Sequence, residues 1–159
     1  MTQVPPNDEV DSVERSIEID ASAERVWSLI STPGWFINDG TVIEHEIRHE
    51  DGYAVVHDPV HGEFALRTVD LDPPRYAAFR WFSSEADAAA QNESNASTTL
   101  VETWITECES GVTLRVVESG FASLPTDAEK RRLAVEQSAE GWEIELVAAK
   151  DFVSEANPV

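Results

Sequence analysis

Bases are scarce in this chain, with 11 Lys plus Arg against 31 Asp plus Glu and a formal net charge of −20 at pH 7. Such a surface repels polyanions at long range, so neither nucleic acid nor an anionic membrane surface is expected as a partner. Cysteine is nearly absent. The single Cys108 excludes an intrachain disulfide, and its neighbours Glu107 and Glu109 disfavour the thiolate that covalent catalysis requires. No run approaches the roughly 20 apolar residues that cross a bilayer. The N-terminal stretch MTQVPPNDEVDSVER has neither the basic start nor the apolar core of a secretory signal. A cytoplasmic protein without membrane insertion is the expectation, and the formal glycosylation sequons at Asn92 and Asn95 then read as loop composition. Phosphate-cradling glycine loops and G-x-S-x-G elbows are also missing, which argues against nucleotide use and serine hydrolase chemistry.

What is present describes one domain. At 159 residues and 42% hydrophobic content, folding removes roughly 70% of the unfolded chain's surface from water, enough for a core with a cavity inside it. Residues 1–12, with Pro5 and Pro6 and no periodicity, read as a flexible leader, and residues 13–155 as the domain. Val13, Arg15, Ile17 and Ile19 alternate with polar residues, the signature of a half-buried strand. Ala23, Val26, Trp27 and Ile30 then lie at helical spacing until Pro33-Gly34, and a second short helix is expected over 34–38. From Thr41 to Glu118 the chain reads as six strands, with turns at Asp51-Gly52, His61-Gly62, Asp72-Pro73-Pro74 and Ser110-Gly111, and a long polar loop over 83–97. Thr126 and Glu129 have the spacing of a capping box, and a helix follows over 127–154, with Ala139, Trp142, Leu146, Ala149 and Val153 along one face. An α+β fold results, in which a curved antiparallel sheet of six or seven strands wraps around the long C-terminal helix.

The segments IDASAERVWSLISTPGWF, LDPPRYAAFRW, TLRVVESGF and EGWEIEL, in that order, resemble the SRPBCC superfamily. The branch they are most similar to is the C-terminal domain of the activator of heat-shock protein 90 ATPase. The resemblance spans residues 13 to about 155. It implies the helix-grip fold shared with START lipid-transfer domains and Bet v 1-like pollen allergens, with a hydrophobic cavity between sheet and helix. It also implies functions ranging from lipid binding to polyketide cyclisation, among which fold alone does not choose. The stretch after Phe82 departs from the family pattern.

Strand parity places Leu114, Val116 and Glu118 inward on one strand, Phe79 and Trp81 on another, and Ile43 and His45 on a third. One acid and one imidazole thus line an expected aromatic pocket. Burial raises a Glu pKa and lowers a His pKa, so Glu118 and His45 are the candidates for acid and base, as in a polyketide cyclase or aromatase. Glu118 also stands just before Ser119-Gly120, where it can accept local backbone amides without any catalytic role. Trp35, Phe36, Phe64, Phe79, Trp81, Glu118, Phe121, Trp142 and Leu146 are the expected ligand-lining residues. Gly141, inside the helix beside Trp142, signals either close backbone approach or room for a ligand.

His45-Glu46-Ile47-Arg48-His49 matches H-E-x-x-H literally, but zinc proteolysis needs both histidines on one helical face, and here the alternation predicts a strand. His57, Asp58, His61 and Glu63 match no closed metal site, so neither metal nor cofactor is expected. Three functions follow. The first is non-catalytic binding of a small hydrophobic or aromatic molecule; the second is interaction with a chaperone of the Hsp90 type; the third is the cyclase. No inward Arg is evident from parity, so neutral ligands are preferred. The sequence does not choose between monomer and homodimer.

Overall fold

A computed structural model describes residues 10–82 and 98–155; the leader up to residue 9 and the whole of the expected polar loop over 83–97, with both sequons, lie outside the described residues. The elements are β1 (Ser12–Ile19), α1 (Ala23–Ile30), β2 (Glu46–Glu50), β3 (Tyr53–Asp58), β4 (Gly62–Asp72), β5 (Tyr76–Phe82), β6 (Leu100–Cys108), β7 (Gly111–Ser119), a single 3-10 turn at Phe121–Ser123, and α2 (Ala128–Glu155). β2 to β7 form an antiparallel meander in which each strand pairs with the next, and β1 returns to pair with β7. The seven-stranded sheet curves over α2, which lies chiefly against β1. This is the helix-grip architecture.

Burial explains the elements. In β7 half-buried and buried positions alternate without a break from Gly111 to Ser119, so one face of the strand enters the core. α1 is capped by Ser22, whose hydroxyl accepts from the Arg25 N–H at 3.2 Å, and it buries Ala23, Val26, Leu29 and Ile30. α2 buries Trp142, Leu146, Ala149 and Val153, each at 5% exposure or less, along the stripe the 3, 4, 3, 4 spacing predicts. Burying Leu146 alone contributes about 1.5–3 kcal/mol. The β6–β7 turn depends on Gly111, whose φ is +146° and where an added Cβ would lie 2.2 Å from the Ile19 carbonyl oxygen.

Three local expectations differ from the structure. No second helix forms over 34–38; Trp35 and Ile37 instead donate to Thr32 and Gly34 in successive three-residue turns. Gly34 at φ +76° takes the chain out of helical geometry there. Residues 41–45 are not in a strand, because the ladder to β3 begins only at Glu46, opposite His57. Ile43, expected inward, is consequently 39% exposed. The cap of α2 is Asp127, not Thr126: its carboxylate accepts from the Lys130 N–H at 2.8 Å, in the role assigned to the Thr hydroxyl one residue earlier.

Candidate functional site

Glu118 is the innermost polar group of β7, following Val112, Leu114 and Val116 on the buried face, and is 6% exposed. Its Oε1 accepts from Ser138 Oγ of α2 at 2.5 Å and from the Trp142 indole N–H at 2.9 Å. Its Oε2 accepts from the Thr99 hydroxyl, which in turn accepts from the Trp81 indole N–H at 2.8 Å. One carboxylate therefore ties β5, the entry to β6, β7 and α2 together through neutral donors. Local backbone amides are not what holds it. Leaving such a group without partners would cost several kcal/mol, and hydrogen bonds to a charged acceptor are each worth about 1.5–3 kcal/mol.

Around this carboxylate the sheet stands away from the helix. One pocket of about 220 Å³ is lined by Phe36, Asn38, Trp81, Glu118, Ser138, Gly141, Trp142 and Glu145. A second, of about 480 Å³, includes Phe64, Trp81, Thr99, Glu118, Phe121, Leu124, Ala134 and Ser138 in its wall. They share Trp81, Glu118 and Ser138, so the space is two abutting pockets open at the surface, not one enclosed void. Their walls are aromatic: the Phe36 ring stands at 90° to Trp81 with centroids 6.0 Å apart and lies 5.4 Å from Trp142, and Phe64 lies 6.0 Å from Trp81. Gly141 opens the smaller pocket, since a Cβ placed there meets nothing within 4 Å. Of its two expected meanings, room rather than close approach is what the geometry contains.

The remaining candidates separate. Phe79 and Leu146, at 1% and 2% exposure, sit in the packed core and line neither pocket. Trp35 leans on Trp142 at 5.9 Å but faces a different cleft, of about 790 Å³, between α1, residues 42–47 and the end of α2. His45 lines that cleft too, so it does not share a pocket with Glu118 and the two do not form an acid and base pair. Arg25 of α1 is also in its wall, a cation that strand parity had no means of finding.

His45 has another partner. Its Nε2 lies 2.9 Å from Asp58 Oδ1, both side chains being under 5% exposed. Burial pushes the Asp58 carboxyl up, but the His61 N–H, His45 and the Val60 N–H together outweigh it and hold the pKa below its usual range. His57 and His61 turn instead to Glu63 and Asp39. Among the described residues no group of three or more His, Cys, Asp or Glu is placed to hold a metal ion. His49 of the H-E-x-x-H match lies on β2 opposite Ala54, in strand geometry.

Glu145 was not among the candidates. It accepts from Asn38 Nδ2 at 3.2 Å and the Gly40 N–H at 3.1 Å, fastening the loop after α1 to α2. Burial pushes its pKa up, only partly countered by those two bonds. Helical spacing was the signal, since Ser138, Trp142, Glu145 and Ala149 share one stripe. Trp104 points away from the core, where the Arg115 guanidinium lies 4.4 Å above its ring and Tyr76 5.3 Å beside it.

Residues 20–148 match the family described as activator of Hsp90 ATPase homolog 1-like protein. Among solved structures, protein MLL2253 from Mesorhizobium loti is 14% identical, with a TM-score of 0.66 over 92% of this chain and 99% of its own. Protein BH1534 from Bacillus halodurans is 21% identical, with a TM-score of 0.62 over 91% of this chain and 96% of its own. DynU16, from the dynemicin biosynthetic locus, is 16% identical with a TM-score of 0.65, covering 94% of this chain but 49% of its own. At these identities the likeness is one of fold. No curated protein matches the chain. Among the described residues no helix is long and apolar enough to cross a membrane.

Proposed function

This chain belongs to the activator of Hsp90 ATPase homolog 1-like family, and on that premise we propose that it binds a small apolar or aromatic molecule between sheet and C-terminal helix, in the cytoplasm and without transforming it. The observation that carries this reading is the pair of abutting pockets around Trp81, Glu118 and Ser138. Packing that merely closed the core would place a side chain at position 141; the chain places Gly141 there. Apolar walls supply affinity, and a few fixed polar groups select orientation. Because Glu118 and His45 lie in different clefts, the cyclase reading loses its paired acid and base.

The test is uptake of the neutral fluorophore N-phenyl-1-naphthylamine. Saturable enhancement at one probe per chain is expected, and its loss in a Gly141→Leu, Ala134→Phe double variant, whose substitutions lie on the helix wall of the two pockets. No uptake, or equal uptake by the double variant, overturns the proposal.

A second reading has its own support. Leu133, Ile144 and Val147, each 50% exposed, fall on one outer stripe of α2, an apolar face suited to a protein partner. On the family's description, we take an Hsp90-type chaperone as that partner. Stimulation of the chaperone's ATPase by the wild-type chain, abolished by Ile144→Lys, is expected under this reading; no stimulation removes it.

A further inference from the structure

From the smaller of the two pockets we infer a ligand class: a small organic ammonium ion, held among the rings of Phe36, Trp81 and Trp142 beside the carboxylates of Glu118 and Glu145. The inference rests on the pocket reading above and narrows it. Among the described residues no Lys, Arg or His lines this pocket, whereas two carboxylates do, at 6% and 9% exposure. The hydrogen-bond partners of those carboxylates among the described residues are neutral N–H and O–H donors. Neutral donors satisfy a carboxylate without supplying a positive charge, and beside apolar walls a cation's attraction to it is screened less than in bulk water. A cation in the pocket is attracted to both charges at once, and the long-range field of a chain with net charge −20 favours its approach.

The surroundings select the kind of cation. A metal ion needs carboxylate oxygens in direct coordination, but Glu118 Oε1 already accepts two hydrogen bonds and Oε2 a third. An alkylated ammonium spreads its charge over methyl groups and needs no inner coordination; it is recognised by ring faces, whose quadrupole attracts it. Phe36, Trp81 and Trp142 all line this pocket, Phe36 meeting Trp81 edge to face at 6.0 Å and Trp142 at a tilt at 5.4 Å. Gly141 leaves the fourth side free of a side chain. About 220 Å³ suits a headgroup of a few carbons, with any longer apolar portion continuing past Trp81 into the larger pocket.

The experiment compares choline with its neutral isostere 3,3-dimethylbutan-1-ol by isothermal titration of the wild-type protein. Choline is expected to bind about tenfold or more tightly than the alcohol, a difference of about 1.4 kcal/mol that one desolvated cation–π contact and the carboxylates together supply. Glu145→Gln is expected to lower choline affinity several-fold and leave the alcohol unchanged; Phe36→Leu serves where that variant does not fold. Equal binding of the two compounds, or binding of the alcohol alone, overturns the ammonium inference and leaves the pocket reading standing. Failure of both while N-phenyl-1-naphthylamine still binds does the same. Failure of all three compounds overturns both.

Discussion

Asp58 closes the corner between β3 and β4 by accepting from the Val60 N–H at 3.0 Å and the His61 N–H at 2.7 Å, and the remaining oxygen reaches His45. It is 2% exposed, so none of these partners is readily replaced by water. Asp58→Asn substitutes a donor for one of the acceptors and is expected to cost about 1–3 kcal/mol in urea denaturation at pH 7. The pH dependence has a definite sign. A carboxylate held below its ordinary value of 3.8 adds stability that is complete above that value and is lost as pH falls through the folded-state pKa. The gap between wild type and variant therefore narrows below pH 3.8; a gap that is constant down to pH 2 contradicts this role. Parity placed Glu118 inward because it continues an unbroken alternation, but Asp58 ends a strand at a turn, where alternation carries no information about side-chain partners. Glu118's neighbours were half legible. Thr99 shares parity with Val101, Thr103 and Ile105, whereas Ser138 comes from a helix whose rotation about its axis only packing determines.

α2 has two unlike halves. From Trp142 to Val153 it buries a continuous stripe, whereas Ala128 to Gln137 contains no fully buried residue and roofs the larger pocket through Ala134 and Gln137. Gly141 stands at the boundary. In a helix interior Gly costs about 1 kcal/mol relative to Ala, and the space beside it is empty. Gly141→Ala is therefore expected to raise stability by about 0.5–1 kcal/mol in urea melts; destabilisation would mean that the helix backbone is in close contact at this point. An element with a strong period was legible along its length, as with the α2 stripe, whereas β5, over Tyr76–Phe82, does not alternate in burial and was bounded by the turn before it and the polar stretch after it. Residues 41–45 were not legible. Their alternation satisfies the strand pattern, but a strand also needs a neighbour, and β3 ends at Asp58, so His45 meets that residue through its side chain instead of through a ladder. The expected helix over 34–38 failed for a related reason: Trp35 and Ile37 are buried, and Phe36 half-buried, from a turn, which needs no helical period.

At the scale of the molecule, the same sheet and helix that make the core also define the candidate site. The curved sheet grips α2 along β1 and parts from it beside Trp81 and Trp142, and there the chain places aromatic rings and carboxylates in the absence of bases. That the fold was a helix-grip was legible, because strand alternation and one long amphipathic helix leave few other arrangements. Which aromatic residues fill the core and which line the opening was not, since Phe79 and Trp81 share a face of one strand, yet the first is fully buried and the second only half-buried. The five indole N–H resonances report this difference directly. In a two-dimensional nitrogen–proton spectrum titrated with N-phenyl-1-naphthylamine, the Trp81 and Trp142 signals, both within the Glu118 network, are predicted to shift together and saturate, while Trp27 against the core and Trp104 on the outer face stay in place. Shifts at Trp27 or Trp104 with Trp81 and Trp142 unmoved would contradict binding between sheet and helix.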